Sequence, residues 1–212
     1  MQKILADQAL LVDGWARDVM VEINRHGQIA SVASSVSASQ QNSADHKVGI
    51  LLPAPANVHS HAFQRAMAGL TERRGPDPRD TFWTWRALMY RFLDRLDPKQ
   101  AEAIAAFVQM EMLEAGYATN VEFHYLHHQI DGQPYDDLGE MAQRITAATH
   151  QTGIGLTLLP VYYQYGGCDG RALGPGQIRF GNTLERYADL LQRCRAMTAD
   201  LPADCRVGVA PH

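Results

Sequence analysis

Cysteine is scarce in this sequence. Only Cys168, Cys194 and Cys205 occur among 212 residues. An odd number with no CxxC pair argues against a disulfide framework and for a reducing compartment. All three read as buried, inert thiols. Long apolar runs are missing as well. No stretch approaches the ~20 residues needed to span a bilayer. The opening Met1-Gln2-Lys3-Ile4-Leu5-Ala6-Asp7 lacks the apolar core of a signal peptide. A cytoplasmic location is the expectation. There is no basic run, and the net charge is −4. Neither nucleic acid nor a membrane is therefore an expected partner.

What is present is ordinary globular composition, 46% hydrophobic and 20% charged, enough for one large or two small domains. Residues 1–50 read as short strands: Ile4–Ala6, Ala9–Val12, Val19–Ile23 and Ile29–Val32. Asp13-Gly14 and His26-Gly27 mark turns between them. The polar stretch Ser34–Asp45 reads as an exposed loop. This first segment is too small to bury a core of its own, so it is expected to form part of a small β-sandwich-like domain.

From about residue 48 the pattern becomes strand followed by helix. The apolar run Val48–Leu52 precedes Asn57-Val58-His59-Ser60-His61. A loop or lid is expected over Met67–Asp80, with Glu72-Arg73-Arg74, Gly75, Pro76 and Pro78 in it. Phe82–Phe92 opens a helical stretch. The next helix has marked ends: Asp97 as N-cap, Pro98 first, Gln100 as capping-box partner and Gly116 as its stop. Ile104, Val108 and Met112 lie four apart, the spacing of a buried face. Further strands are expected at Ala118–Tyr125, Ile154–Val161 and Cys205–Ala210. Further helices are expected over Asp136–Thr152 and from an Asn182 cap to about Met197. The run Ile154–Val161 is typical of a strand buried on both faces.

Four such alternations predict α/β architecture, either a barrel or a doubly wound sheet. A complete barrel takes about 250 residues and eight strands. The expected fold is thus the first half of a (β/α)8 barrel over residues 51–212, preceded by the β segment, in a truncated chain. Strand ends in such a barrel collect functional side chains. Those positions here are His59 and His61, then His124, Tyr125, His127 and His128, then Tyr162 and Tyr163, then His212. In an extended strand, residues i and i+2 point the same way. His59 and His61 would then form either half of a zinc-type site or a pair of packing histidines.

Leu52-Pro53-Ala54-Pro55-Ala56-Asn57-Val58-His59-Ser60-His61 resembles the first-strand signature of the amidohydrolase superfamily, with Ala54 where glycine is usual. The longer blocks Asn57–Leu70, Thr81–Arg86, Val121–His128 and Gly208–His212 resemble the N-formimino-L-glutamate deiminases within it. That resemblance implies hydrolysis of N-formimino-L-glutamate to N-formyl-L-glutamate and ammonia, a step of histidine breakdown. It implies one divalent metal, zinc in most relatives, with His59 and His61 as two ligands. Gln64, Arg86, Tyr125 and His212 match positions that line the substrate site. Arg86 suits a carboxylate, because a guanidinium offers paired donors in fixed geometry. Strand four carries Ala210-Pro211-His212 and no lysine, which favours one metal over two. The catalytic acid and base and the remaining ligands are expected beyond His212, so residues 1–212 alone are expected to be inactive. A homodimer is expected by analogy. The alternatives are a deaminase of the guanine type, whose site would stack on a ring, and a non-catalytic barrel.

Overall fold

The computed structural model describes residues 1–73 and 79–212. Arg74, Gly75, Pro76 and Pro78 of the expected loop lie outside the described residues. The chain divides into two compact units, Met1–Ala54 and Pro55–His212.

The first unit is one four-stranded sheet and a single helical turn. Strands β1 (Gln2–Leu11), β2 (Gly14–Ile23), β3 (Ile29–Ala33) and β4 (His46–Leu51) lie in the order β3-β2-β1-β4. β1 pairs antiparallel with β2, and parallel with β4. The two short strands expected at Ile4–Ala6 and Ala9–Val12 are one. Asp7-Gln8 between them holds no Gly or Pro to break the strand, and pairing with β2 carries it through. The Asp13-Gly14 signal does mark a turn, where Gly14 adopts φ +111°, a region that favours glycine. Ala6, Ala9, Val19 and Val21 form a small buried cluster. Within the expected loop, Ser37 and Gln40 cap each other around helix α1 (Ala38–Gln41). The apolar run Val48–Leu52 does not lead into the histidine pair. It is mostly β4, paired with β1 in this sheet.

The second unit is mixed α/β with a parallel sheet. Its strands are β5 (Ala56–Ser60), β6 (Thr119–His124), β7 (Gly155–Tyr162) and β8 (Arg206–Val207), in that order, with β9 (Ala210–Pro211) beside the end of β7. The expected fourth strand is thus two short pieces, broken at Gly208-Val209. Helices α2 (Phe82–Leu93), α3 (Pro98–Glu114), α4 (Glu140–Thr152) and α5 (Leu184–Thr198) fill the connections. The Asp97 cap, Pro98 and the Gln100 box are all in place on α3.

Three local expectations are corrected. The fully buried stripe of α3 is Ala101, Ala105 and Gln109, while Ile104, Val108 and Met112 are half-buried. Small side chains allow close approach, and Gln109 is satisfied there: its Nε2 donates to Thr149 Oγ1 at 3.1 Å, and its Oε1 accepts from Thr152 Oγ1 at 2.9 Å. The cap of α5 is Thr183, whose hydroxyl accepts the Arg186 N–H, and not Asn182. On β7, Leu156 and Leu158 are buried in a cluster with Ala105, Ala142, Ile145 and Leu190, but Thr157 and Leu159 on the opposite face are half-exposed.

Candidate metal and substrate site

The site begins where β5 ends. Its pairing with β6 runs through Asn57↔Asn120 and resumes at Ser60↔Glu122. β5 takes three steps where β6 takes two, so one residue is bulged out around Val58-His59. Strict alternation therefore does not aim this pair. The rings converge all the same, with centroids 4.8 Å apart and planes at 82°. Asn57 Oδ1 accepts the His59 N–H at 3.2 Å, steadying the bulge. His59 is exposed and packs on Phe123, while His61 is half-buried.

His61 Nδ1 lies 3.0 Å from the carbonyl oxygen of Phe123. A carbonyl can only accept, so Nδ1 carries the proton and Nε2 keeps its lone pair. Burial lowers the His61 pKa; the Phe123 bond opposes this and the nearby His59 adds to it. The ring is thus neutral near pH 7. A neutral imidazole with one nitrogen held by a carbonyl is a well-oriented metal donor. Among the described residues, no three His, Cys, Asp or Glu side chains are grouped to hold a metal ion. The pair fits a divalent ion as two of its ligands.

Beside His61 lies a cavity of about 290 Å³. Gln64, Arg86, Tyr125 and His212 all line it, so four segments distant in sequence meet at one opening. Its remaining wall is largely aromatic, with Tyr90, Tyr163 and Phe180. Arg86 Nε donates to Tyr90 Oη at 2.6 Å, one helical turn on. The guanidinium also stands over the rings of Trp83 and Tyr90. Such contacts orient a cation without neutralising it. The His212 ring stacks on Tyr163 at 4.3 Å, and burial together with the Arg86 charge lowers its pKa. Burial raises the Tyr125 pKa, so its hydroxyl stays protonated.

Strand-end position alone did not sort the other histidines. His124, His127 and His128 are buried and do not line the cavity. On β6, Asn120, Glu122 and His124 share one face, and Phe123 and Tyr125 follow the other. His127 Nε2 donates to Val161 O at 3.1 Å, and His128 Nε2 to Gly181 O at 2.8 Å. They brace the loops that carry the aromatic wall. Burial pushes the His124 pKa down to about 4.

Sequence spacing does not single out Tyr90 or Glu122 either. Tyr90 sits four residues after Arg86 on a helix, a spacing that brings the two together. Glu122 is fully buried, and its Oε1 accepts the Ala62 N–H at 2.7 Å. Burial pushes its pKa up to about 7, against the hydrogen bond from Ala62.

The fold is similar to that of solved amidohydrolases. The structure matches an amidohydrolase from Brucella melitensis at TM-score 0.91 and 47% identity, over 100% of this chain and 46% of that one. A mutant atrazine chlorohydrolase from Arthrobacter aurescens, solved with zinc and atraton, shares the fold at TM-score 0.70 and 19% identity, over 100% and 46% of the two chains. In sequence, the chain is similar to a formimidoylglutamate deiminase. It is 50% identical to that protein of Pseudomonas aeruginosa over 196 residues, 92% of this chain and 42% of the relative. Residues 1–45 match the family model described as formimidoylglutamate deiminase HutF, N-terminal domain. The chain thus spans less than half the length of the relatives it matches. Among the described residues, no helix is long and apolar enough to cross a membrane.

Proposed function

We propose that this chain supplies part of the active site of a formimidoylglutamate deiminase: N-formimino-L-glutamate and water give N-formyl-L-glutamate and ammonia. The observation that carries this reading is the cavity where His61, Gln64, Arg86, Tyr125 and His212 meet. The parallel strands of the second unit then form the first half of a (β/α)8 barrel, with the site at their C-terminal ends.

His59 and His61 are two ligands of a single divalent ion, zinc by preference for imidazole nitrogen. Such an ion, when bound, makes water acidic enough to ionise near neutral pH. The chain's own residues bind and orient the substrate. Arg86 holds a carboxylate, because among the described residues no acidic side chain lines the cavity with it and Tyr90 fixes its direction. Gln64 and Tyr125 offer hydrogen bonds to polar groups of the substrate. The aromatic wall excludes water from the amidine carbon.

The aromatic lining also suits a flat heterocycle, as in a guanine-type deaminase. Arg86 decides between the two, since a neutral ring leaves its charge without a partner. Ammonia release from N-formimino-L-glutamate and from guanine, measured in parallel on the intact zinc-loaded protein, tests the choice. Turnover of guanine alone would remove the present reading. Activity with neither substrate, in a protein that holds no zinc, would leave a non-catalytic barrel.

A further inference from the structure

Glu122 is an unusual occupant of its position. It sits mid-sheet on the face of β6 that packs into the apolar helix layer. Its register partner on β7 is Leu158, and its neighbour across β5 is Ser60. Both residues are buried. A carboxyl group there loses most of its hydration, and such a group persists only where its hydrogen bonds matter.

The bond it makes falls at a break in the sheet. Ser60↔Glu122 is the last pairing of β5 with β6. One residue further on stands His61, and the chain then turns into the short 3-10 helix Ala62–Met67. The Ala62 N–H is buried and has left the ladder. Glu122 Oε1 accepts it at 2.7 Å. The next residue of β6, Phe123, accepts the His61 Nδ1–H through its carbonyl. Two consecutive residues of one strand therefore hold His61 from two sides. Phe123 fixes the ring, and Glu122 fixes the backbone that follows it. The bulge at Val58-His59 shifts the register just before this point, and beyond Ser60 the two side-chain and carbonyl holds take over from backbone pairing.

We propose that Glu122 is a positioning residue for the His59–His61 pair: its carboxyl continues the β5–β6 hydrogen bonding one step beyond the last backbone pairing and so sets the aim of His61. This rests on the reading of His61 as a metal ligand. Groups that orient a ligand from behind typically change metal affinity about 10–100-fold when removed. Glu122 touches neither metal nor substrate, so its effect runs through His61.

The test is zinc affinity of the intact protein by chelator competition, with Tm measured alongside. Glu122→Leu fills the same space without an acceptor. It is expected to weaken zinc binding about 10–100-fold with only a modest fall in Tm, because the Ala62 N–H loses its acceptor while an apolar side chain suits that layer. Glu122→Gln keeps an acceptor oxygen and is expected to stay within about threefold of the parent. His61→Ala is run beside them. If zinc affinity survives His61→Ala, the metal reading fails and Glu122 is not at issue. If His61→Ala abolishes binding while Glu122→Leu binds like the parent, the positioning role is overturned. It is equally overturned if Glu122→Gln binds as poorly as Glu122→Leu. Should Glu122→Leu not fold, amide exchange in the metal-free parent decides. The Ala62 N–H is expected to be strongly protected, and exchange at the rate of an exposed amide overturns the proposal.

Discussion

At the scale of single residues, the site depends on charges and tautomers that burial selects. His61 is kept neutral by burial and turned by the Phe123 carbonyl, which leaves Nε2 as the available donor. His61→Ala removes that donor. Stoichiometric zinc is expected to be lost on dialysis of the variant, as read by metal analysis. Arg86 presents the case of a charge-assisted bond. Such bonds contribute about 1.5–3 kcal/mol. Arg86→Ala is therefore expected to raise KM for N-formimino-L-glutamate roughly 10–100-fold with kcat less affected. An unchanged KM would remove Arg86 from the substrate site. Tyr90→Phe should act in the same direction but more weakly, since it loosens the guanidinium without deleting it.

At the scale of elements, helix ends and loop braces set where the site residues stand. The α3 cap was readable from Asp97, Pro98 and Gln100 because capping is local in sequence. Asp97→Ala should cost about 1 kcal/mol in denaturant unfolding, without touching the cavity. The position of α2, which carries Arg86, depends instead on Arg179. That side chain is buried, and its guanidinium donates to the carbonyls of Leu93, Leu96 and His128. It thus ties the end of α2 to the loop after β6. A cation at a helix C-terminus also suits the helix dipole. Leu93 O keeps the Leu96 N–H, but removing Arg179 takes the side-chain donor from the carbonyls of Leu96 and His128, each worth about 1–3 kcal/mol. Arg179→Met should lower stability by at least about 2 kcal/mol, a loss that urea unfolding would register. A loss below about 1 kcal/mol would mean that water replaces the guanidinium there. No spacing rule points to Arg179, because its three acceptors lie more than fifty residues away in sequence.

At the scale of the whole molecule, buried titratable groups set the pH range of stability, and they act in opposite directions. His124, His127 and His128 have pKa values lowered by burial, His124 to about 4. Their unfolded forms bind protons first, so stability is full above the ordinary histidine value of about 6.5 and is lost as pH falls below it. Glu122 has its pKa raised to about 7. Its native form holds a proton that the unfolded form has released, so its contribution is present below about 4.5 and is lost as pH rises through 7. These histidines, joined by His61 and His212, whose pKa values are also lowered, outnumber the one carboxyl and predict a net fall in Tm from pH 6.5 to pH 4.5. Glu122→Gln should steepen that fall slightly and flatten the slope between pH 6.5 and 8. A Tm that climbs steadily toward pH 4.5 would contradict the burial of the three histidines.

The chain's sequence alone determined what short-range rules can carry. Those rules were helix caps, strand periodicity, the turn at Asp13-Gly14, and a histidine pair whose neighbouring blocks resemble one enzyme family. Each signal lies within a few residues, where backbone geometry links spacing directly to direction. The tertiary structure decided the rest. It assigned His46–Leu51 to the first sheet, placed a bulge between Asn57 and Ser60, and turned Tyr125 toward the cavity while burying His124 beside it. It also brought Gln64, Arg86, Tyr125 and His212 to one wall. These outcomes depend on which strand pairs with which and on what packs across the sheet. The energies involved arise only between residues that sequence separates and folding joins.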